Sequence, residues 1–331
     1  MRTIVTGAAG FIGSTLVDRL LAEGHVVVGI DNLSNGRQGN LASARVRSEI
    51  SPGQFTLIQA DIQHPELTGI FAGVNPDAVF HLAAHVDLRA SVEAPRHDAQ
   101  TNVLGTINVA EACRQAGIRR VVYAASGGSR FGAPTELPVA ETCALAPVSP
   151  YAVSKVAAEL YLQAYASMYG IRPISLGLAN VYGPRQDPTG EAGVVSIFAN
   201  AMLNGLPTTI FGDGTAARDY VYVGDVVDAF IRAAEAPDDL TGYYNIGTSM
   251  QTTVAELHRL IAAETGCTTE PLLGSPRAGE VQAIALDADR AKQDLGWTPE
   301  VKLAEGIKRT VAWLRDAVSA ADSSEVRIRC G

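Results

Sequence analysis

Residues 1–13 read MRTIVTGAAGFIG, and this stretch decides the fold. The β-branched run Thr3–Thr6 predicts a short strand, and the segment Ser14–Glu23 predicts a helix. The turn between them has glycines at the GxxGxxG spacing, namely Gly7, Gly10 and Gly13. In that setting Gly7 permits a tight turn, Gly10 lets the backbone approach a pyrophosphate, and Gly13 allows close helix–strand packing. The position between a strand and a helix favours a dinucleotide site over a simple turn.

An acid follows at the expected distance. Asp31 ends a second predicted strand, Val26–Ile30, roughly 20 residues after the glycine turn. A carboxylate there accepts hydrogen bonds from the adenosine ribose hydroxyls and repels a 2′-phosphate, which favours NAD over NADP. The alternative is that Asp31 and Asn32 only cap the loop.

Strands and helices alternate along the first half of the chain. This rhythm predicts an α/β fold, a Rossmann-type doubly wound parallel sheet with a smaller interleaved C-terminal α/β substrate domain. We expect an NAD-binding domain over 1–175, a mainly substrate-binding domain over 176–320, and a flexible polar tail over 321–331. Further predicted elements are the strands Phe55–Gln59, Ala78–Leu82 and Val121–Ala125 and the helix Asn102–Ala116.

Bulk composition excludes several classes of protein. The 331 residues are 47% hydrophobic and carry a formal net charge of -9, which argues against binding nucleic acid or anionic membranes. The four cysteines show no CxxC pair and no metal-ligand spacing, so we expect free thiols and no metal site. No apolar run reaches the ~18 residues of a membrane span, and the N-terminus predicts a strand, not a signal peptide. We therefore expect a cytoplasmic protein.

A catalytic set follows the dinucleotide motif. Tyr151 and Lys155 form YxxxK, which places both on one face of a helix if Ser149 caps it. A nearby ammonium favours the phenolate, so we expect Lys155 to lower the pKa of Tyr151 and make it a base. Ser126, at the end of a predicted strand, is positioned to relay the proton, with Ser129 as the rival hydroxyl.

The stretch TGAAGFIG resembles the start of the extended short-chain dehydrogenases, and the resemblance continues to about Arg315. It implies that Phe11 and Ile12 contact the pyrophosphate and that Asp61 and Ile62 flank the adenine. It also implies further cofactor contacts from Asn32, Leu82, Ala83, Ala84 and Asn102.

The same resemblance implies a UDP-sugar as the substrate. Asn180, in NVYGPRQ, and two arginines are then expected on the diphosphate, because guanidinium groups form paired bonds with phosphates. A position four residues after the ribose-binding acid is expected to gate the 2-substituent of the sugar. The implied substrate residues are Asn180, Phe211 on the uracil, Arg218, Arg277, Glu280 on the ribose, and Ile284 as the gate, together with Ser126 and Tyr151.

The residues after Ser126 discriminate between reactions. Sugar 4,6-dehydratases of this type have an acid pair there, whereas Gly127 and Gly128 do no acid–base work. The resemblance therefore implies a UDP-hexose 4-epimerase acting on UDP-glucose and UDP-galactose through a 4-keto sugar, with the N-acetyl forms also admitted. Arg130 and Phe131 depart from the family pattern, so Arg130 either reads a carboxylate or points to solvent. A UDP-uronate epimerase, a 4,6-dehydratase, a 4-keto reductase and a non-catalytic NAD-binding regulator remain the alternatives.

A homodimer is the expected assembly. The resemblance implies that the helix after Asn102 and the helix carrying Tyr151 pair with their twofold mates. The sequence supports this in part, because the second helix has apolar residues on two sides. One stripe contains Val153, Val156, Ala157 and Leu160, and Ala158 and Leu162 lie roughly opposite.

Overall fold

The computed structural model describes residues 1–189, 193–276 and 281–329, with side chains up to Asp316. The strands in chain order are β1 (Arg2–Thr6), β2 (Val26–Asp31), β3 (Phe55–Gln59), β4 (Ala78–His81), β5 (Arg120–Ser126), β6 (Arg172–Leu178), β7 (Asn180–Tyr182), β8 (Thr209–Phe211), β9 (Ala217–Arg218), β10 (Tyr220–Tyr222), β11 (Gly242–Ile246), β12 (Thr252–Thr253) and β13 (Leu272–Gly274). All five strands predicted from the sequence are present, with bounds that differ by a residue or less at each end.

Helices connect these strands. They are α1 (Phe11–Ala22), α2 (Ala42–Ile50), α3 (Leu67–Val74), α4 (Leu88–Glu93), α5 (Pro95–Ala99), α6 (Gly105–Ala116), α7 (Gly127–Arg130), α8 (Pro150–Tyr169), α9 (Val194–Leu203), α10 (Val223–Glu235), α11 (Val254–Thr265), α12 (Asp289–Leu295) and α13 (Leu303–Arg329). A 3₁₀ turn spans Gln38–Leu41, and a π-helical turn spans Gln100–Leu104 directly before α6. The predicted helix from Asn102 therefore begins inside a π-helical turn.

Seven parallel strands form the central sheet in the order β3–β2–β1–β4–β5–β6–β11. Side chains alternate between its two faces. Val122 of β5 packs with α1 and α10 in one core cluster, whereas Val121 and Tyr123 pack with α3, α6 and α8 in the other. The chain runs outward from β1 in both directions, so the carboxyl ends of β1 and β4 define a switch point where ligands of such folds bind.

A smaller C-terminal part has its own core. Here α9, α11 and α13 pack around buried residues such as Phe198, Leu257 and Ile307. The short strands pair as β10–β7, β12–β9 and β13–β8. β11 returns to the central sheet after β7–β10, so the two parts are interleaved along the chain.

At the C-terminus the backbone of α13 continues to Arg329, through the stretch for which the sequence predicts a flexible tail. Among the residues described, no helix is long and apolar enough to cross a membrane, and no group of three His, Cys, Asp or Glu side chains is arranged to hold a metal ion.

Candidate active site

One cavity of about 840 Å³ extends from the carboxyl ends of the central strands to the small C-terminal sheets. It is continuous from the glycine turn, past Tyr151, to Phe211 and Arg218. Most of the predicted site residues line it: Gly7, Gly10, Phe11, Ile12, Gly13, Asp31, Asn32, Asp61, Ile62, Leu82, Ala83, Ala84, Ser126, Tyr151, Lys155, Asn180, Phe211 and Arg218. A site for a dinucleotide and a site for a second ligand thus lie in one space.

The three glycines behave as their spacing predicts. Gly7 has a positive φ of 70°, and a Cβ there would lie 2.8 Å from the backbone nitrogen of Ala83. A Cβ on Gly13 would lie 2.0 Å from the carbonyl oxygen of Gly7, so only glycine permits this helix–turn contact. A Cβ on Gly10 would have one close neighbour, the Gly7 carbonyl oxygen at 3.2 Å. Outside the two chain neighbours, no other atom of the described residues would lie within 4 Å of that Cβ, so a ligand in the cavity can approach the Gly10 backbone.

Asp31 is 7% exposed and is held at the end of β2 by backbone donors. Its Oδ2 accepts a hydrogen bond from the Ala9 amide at 2.8 Å, and its Oδ1 accepts one from the Leu33 amide at 2.7 Å. A fixed carboxylate beside the cavity fits ribose hydroxyls and disfavours a 2′-phosphate. Asn32 lies next to it and donates to Asp61 Oδ2 at 2.7 Å, which ties together the two loops predicted to border the adenosine. These residues fit NAD.

Asn102 does not line the cavity, which corrects its predicted contact with the cofactor. It is 2% exposed, and its Nδ2 donates to Asp98 Oδ1 at 3.0 Å, to Ser154 Oγ at 3.1 Å and to the His85 carbonyl at 2.9 Å. The π-helical turn places this side chain inward, where it joins the loop after β4 to α8. Its neighbour Thr101 lines the cavity instead.

The catalytic set assembles where β5 meets α8. Ser149 caps α8 by accepting a hydrogen bond from the Ala152 amide at 3.2 Å, with Pro150 at the first helical position. Tyr151 and Lys155 then lie one turn apart, as predicted. Ser129 Oγ donates to Ser126 Oγ at 2.8 Å, and hydrogen bonding by the Ser126 hydroxyl lowers the pKa of the Tyr151 phenol. The two rival serines therefore belong to one chain of hydroxyls that ends on Tyr151.

Burial dominates the protonation of this set. Burial raises the pKa of Tyr151 to about 12, opposed by the hydrogen bond from Ser126 and reinforced by the charge of Asp98. Burial also lowers the pKa of Lys155 to about 7, while Asp98 raises it. Desolvation therefore dominates both side chains, and the lowering of the Tyr151 pKa by Lys155 together with the positive nicotinamide stays a prediction.

The substrate end of the cavity lies on the small sheets. Asn180 begins β7, and its Oδ1 would lie 3.8 Å from a Cβ on Gly128, so it faces the catalytic turn. Phe211 is 40% exposed at the end of β8, and Arg218 donates from Nη1 to the Ala217 carbonyl at 2.8 Å. Arg277 and Glu280 lie outside the described residues.

Ile284 is not on the cavity wall. It is 3% exposed and belongs to the core cluster that contains Phe131, Val139 and Leu286. Its amide donates to the Ala217 carbonyl at 3.2 Å, which turns the side chain into the core. This placement contradicts the prediction that Ile284 itself gates the sugar.

Known proteins resemble this chain over most of its length. A model of the NAD dependent epimerase/dehydratase family matches residues 3–247. The chain belongs to this family. The UDP-glucose 4-epimerase of Mycolicibacterium smegmatis is 51% identical over 316 residues, which are 96% of this chain and 99% of that protein.

Solved structures of such epimerases also match this chain. A UDP-glucose 4-epimerase of Thermotoga maritima, solved with UDP-glucose, has a TM-score of 0.90 and 42% identity, covering 96% of this chain and 100% of that one. The Thermus thermophilus UDP-glucose 4-epimerase, solved in complex with NAD, has a TM-score of 0.86 and 40% identity, covering 95% and 99%. The extended short-chain dehydrogenase fold expected from the glycine turn is therefore confirmed.

Arg130 and Phe131, which depart from the usual pattern of this family, are both buried. Arg130 is 9% exposed and forms an ion pair with Glu159 of α8, and Phe131 is 2% exposed in the core. Neither alternative left open by the sequence holds, because Arg130 neither faces solvent nor lines the cavity. It is not available to read a substrate carboxylate.

Several cavity residues were missed by the sequence reasoning. Arg185 has φ 73°, a left-handed conformation that is rare outside glycine and tends to occur at ligand sites. It pairs with Asp18, while Asp187 pairs with Arg37 of the loop after β2. Arg185 and Asp187 lie in the loop that begins NVYGPRQ. The sequence already assigned Asn180 of this loop to the substrate, so its other charged residues could have been predicted as well. Arg37 and Trp313, which also line the cavity, belong to no motif.

Proposed function

We propose that this chain is an NAD-dependent UDP-hexose 4-epimerase that interconverts UDP-glucose and UDP-galactose through a 4-keto sugar. The observation that carries the proposal is the meeting, in one cavity, of the Asp31 dinucleotide end and the Ser126–Tyr151 hydroxyl chain. The similarity to UDP-glucose 4-epimerases over nearly the whole chain supports the same assignment. Bound NAD supplies the acceptor, and once reduced the donor, of the hydride at C4 of the sugar.

The chain's own residues handle the proton. The Tyr151 phenolate takes the proton of the sugar 4-hydroxyl, directly or through Ser126, and returns it to the re-formed hydroxyl. Because burial alone holds the pKa of Tyr151 near 12, positive charge must accompany the phenolate. Lys155, 5% exposed on the same helix face, and the oxidised nicotinamide ring are the two sources of that charge. We expect most of the substrate binding energy to come from contacts with the UDP group, because the 4-keto hexose must rotate between the two hydride transfers.

The residues beside Ser126 disfavour a dehydratase. A Cβ on Gly127 would lie 2.7 Å from the Gly177 carbonyl oxygen, so no acid fits at this position. Among the described residues, a Cβ on Gly128 would approach only Asn180, whose amide cannot remove a second proton. This supports oxidation and re-reduction at C4 without loss of water.

We also propose turnover of the N-acetyl forms. Ile284, at the position predicted to gate the 2-substituent, lies in the core and does not project into the cavity. The Ile284 side chain therefore takes no space in the cavity that an acetamido group would need.

The deciding experiment uses the purified protein without added cofactor. It is incubated separately with UDP-glucose, UDP-N-acetylglucosamine and UDP-glucuronate, and the products are identified by NMR. Conversion of the first two to their 4-epimers supports the proposal. A requirement for added NAD(P)H would indicate a 4-keto reductase, and a 6-deoxy-4-keto product would indicate a dehydratase. Epimerisation of UDP-glucuronate alone would indicate a uronate epimerase. Absence of any turnover would indicate a non-catalytic regulator.

A homodimer is part of the proposal. On α8, Val153 and Leu160 are 51% and 50% exposed, whereas Ala158 and Leu162 on the opposite side are fully buried. Within the described residues, the first stripe is thus covered only in part by its own chain, since Val156 is 8% exposed while Val153 and Leu160 are half exposed. Leu88, Val92 and Leu104, on segments that pack against α8, are exposed apolar side chains as well. A patch of this kind marks an association surface. A monomeric mass by light scattering at micromolar concentration contradicts the dimer.

We further propose a cytoplasmic location. Cys113, Cys143 and Cys267 are free thiols, as expected in a reducing compartment. Cell fractionation tests this assignment.

A further inference from the structure

An ion pair joins the turn that carries the catalytic serines to the helix that carries Tyr151. Arg130 ends α7, the short helix that begins directly after Ser126 and contains Ser129. Its Nη1 contacts Glu159 Oε2, and the two residues are 9% and 1% exposed. The pair therefore bridges two segments that otherwise meet at the hydroxyl chain.

Glu159 has a specific position on α8. It follows Lys155 by four residues and Tyr151 by eight, so all three side chains share one helix face. Its other oxygen, Oε1, accepts a hydrogen bond from Gln163 Nε2 at 2.8 Å. The carboxylate is thus fixed two turns below the phenol.

Arg130 is held on its other side by an aromatic ring. Its guanidinium carbon lies 3.8 Å from the ring centroid of Tyr243. The hydroxyl of that ring packs against Gly177 of β6, in the space that a Cβ there would fill, since such a Cβ would lie 1.8 Å from it. A cation between a fixed ring and a buried carboxylate has little freedom to move.

We propose that Arg130 and Glu159 are positioning residues that set the hydroxyls of Ser126 and Ser129 against the Tyr151 phenol. The inference rests on the proposed function, since it assigns a role in proton handling by Tyr151. Neither residue lines the cavity, so neither touches the substrate.

A measurable consequence follows for the pH dependence. Burial and the charge of Asp98 raise the pKa of Tyr151, while the hydrogen bond from Ser126 lowers it. If the serine turn loosens, this hydrogen bond weakens and the pKa of Tyr151 rises. Lys155 keeps its place on α8 and continues to favour the phenolate. The acid limb of the kcat profile then moves to higher pH, because more alkaline conditions are needed to form the phenolate.

The test separates positioning from mere stability. Removing one partner leaves a buried unpaired charge, so Arg130→Leu or Glu159→Leu alone can unfold the protein. Replacing both partners by apolar residues can leave the stability unchanged. The key variant is therefore Arg130→Leu/Glu159→Leu. The matched control is Arg232→Leu/Asp228→Leu, which removes an exposed pair on α10 far from the hydroxyl chain.

We expect the Arg130→Leu/Glu159→Leu variant to keep its Tm, its bound NAD and a KM within about twofold, but to lose ~10- to 100-fold in kcat. Its acid limb shifts to higher pH, and ultraviolet difference titration of the NAD-bound protein against Tyr151→Phe shows the same shift. Adding Ser126→Ala to it costs little more, because both changes act through the same hydroxyl. The control pair keeps the wild-type kcat and profile.

A folded double variant with wild-type kcat and pH profile overturns the inference. If the double variant does not fold, Arg130→Lys decides, because it retains a charge beside Glu159. A lower kcat with a shifted acid limb then supports the inference, and an unchanged profile overturns it. Absence of epimerisation by the wild-type protein instead refutes the proposed function, while the titration still reports on the hydroxyl chain.

Discussion

Replacing Gly13 with alanine tests the cofactor end of the site. The new Cβ would lie 2.0 Å from the Gly7 carbonyl oxygen, whereas non-bonded heavy atoms prefer ~3.5 Å or more. The turn and the helix must therefore separate by about 1.5 Å to reach ordinary contact. Gly7 cannot yield freely, because its amide donates to the Ile30 carbonyl at 2.8 Å and its Cα packs against Ala83.

This strain has a calculable size. Overpacking a rigid site costs ~1–3 kcal/mol, and we expect the upper end because the atoms in conflict belong to the backbone. The unfolding entropy of a 331-residue chain is ~0.7 kcal/mol/K, so the upper end of this cost corresponds to a decrease in Tm of about 4 °C. The displaced turn also carries the amides that we propose face the pyrophosphate. We expect NAD to co-purify with the wild-type protein at near one per chain, and to be largely lost from Gly13→Ala.

Two measurements check this prediction. Thermal unfolding gives the Tm, and enzymatic assay of the supernatant after denaturation gives the NAD content. Gly39→Ala is the matched control, because a Cβ there meets no atom within 4 Å. A Gly13→Ala protein with the Tm and NAD content of the control would refute the packing argument.

Three other perturbations probe the rest of the molecule. Tyr151→Phe removes the base and should lower kcat by ~100-fold or more. Ser126→Ala should lower kcat less, because Tyr151 can accept the proton directly. Both values come from steady-state kinetics, and near-normal kcat in Tyr151→Phe would contradict the proposed mechanism. Ile284→Tyr should overfill the core, lower the stability by ~1–3 kcal/mol and reduce turnover of UDP-galactose and UDP-N-acetylgalactosamine in parallel, whereas selective loss of the N-acetyl sugar at unchanged Tm would restore the gate. Burial holds the pKa of His81 at about 3 against 6.5 in the unfolded chain, so the folded state binds fewer protons between these values and stability falls as the pH drops through this window. Urea unfolding of His81→Gln should show a shallower loss of stability between neutral pH and pH 4, and an unchanged slope would contradict this assignment.

The sequence determined those features whose geometry is local. The glycine spacing, the strand before it and the helix after it lie within one short stretch, so their joint conformation follows from neighbouring residues. Tyr151 and Lys155 share a helix face because they are four residues apart and a serine–proline pair begins the helix. The alternation of strands and helices likewise determined the parallel sheet, since such connections require it.

Tertiary structure alone decided what distant segments do to one another. Asn102 was predicted on the cofactor, but a π-helical turn and three hydrogen-bond acceptors direct it into the protein interior. Ile284 was predicted on the sugar, and Arg130 on a carboxylate or in solvent. Packing instead buries Ile284 beside Phe131 and pairs Arg130 with Glu159. No local pattern encodes these outcomes, because the direction and charge environment of a side chain depend on which residues, far apart in sequence, the fold brings against it.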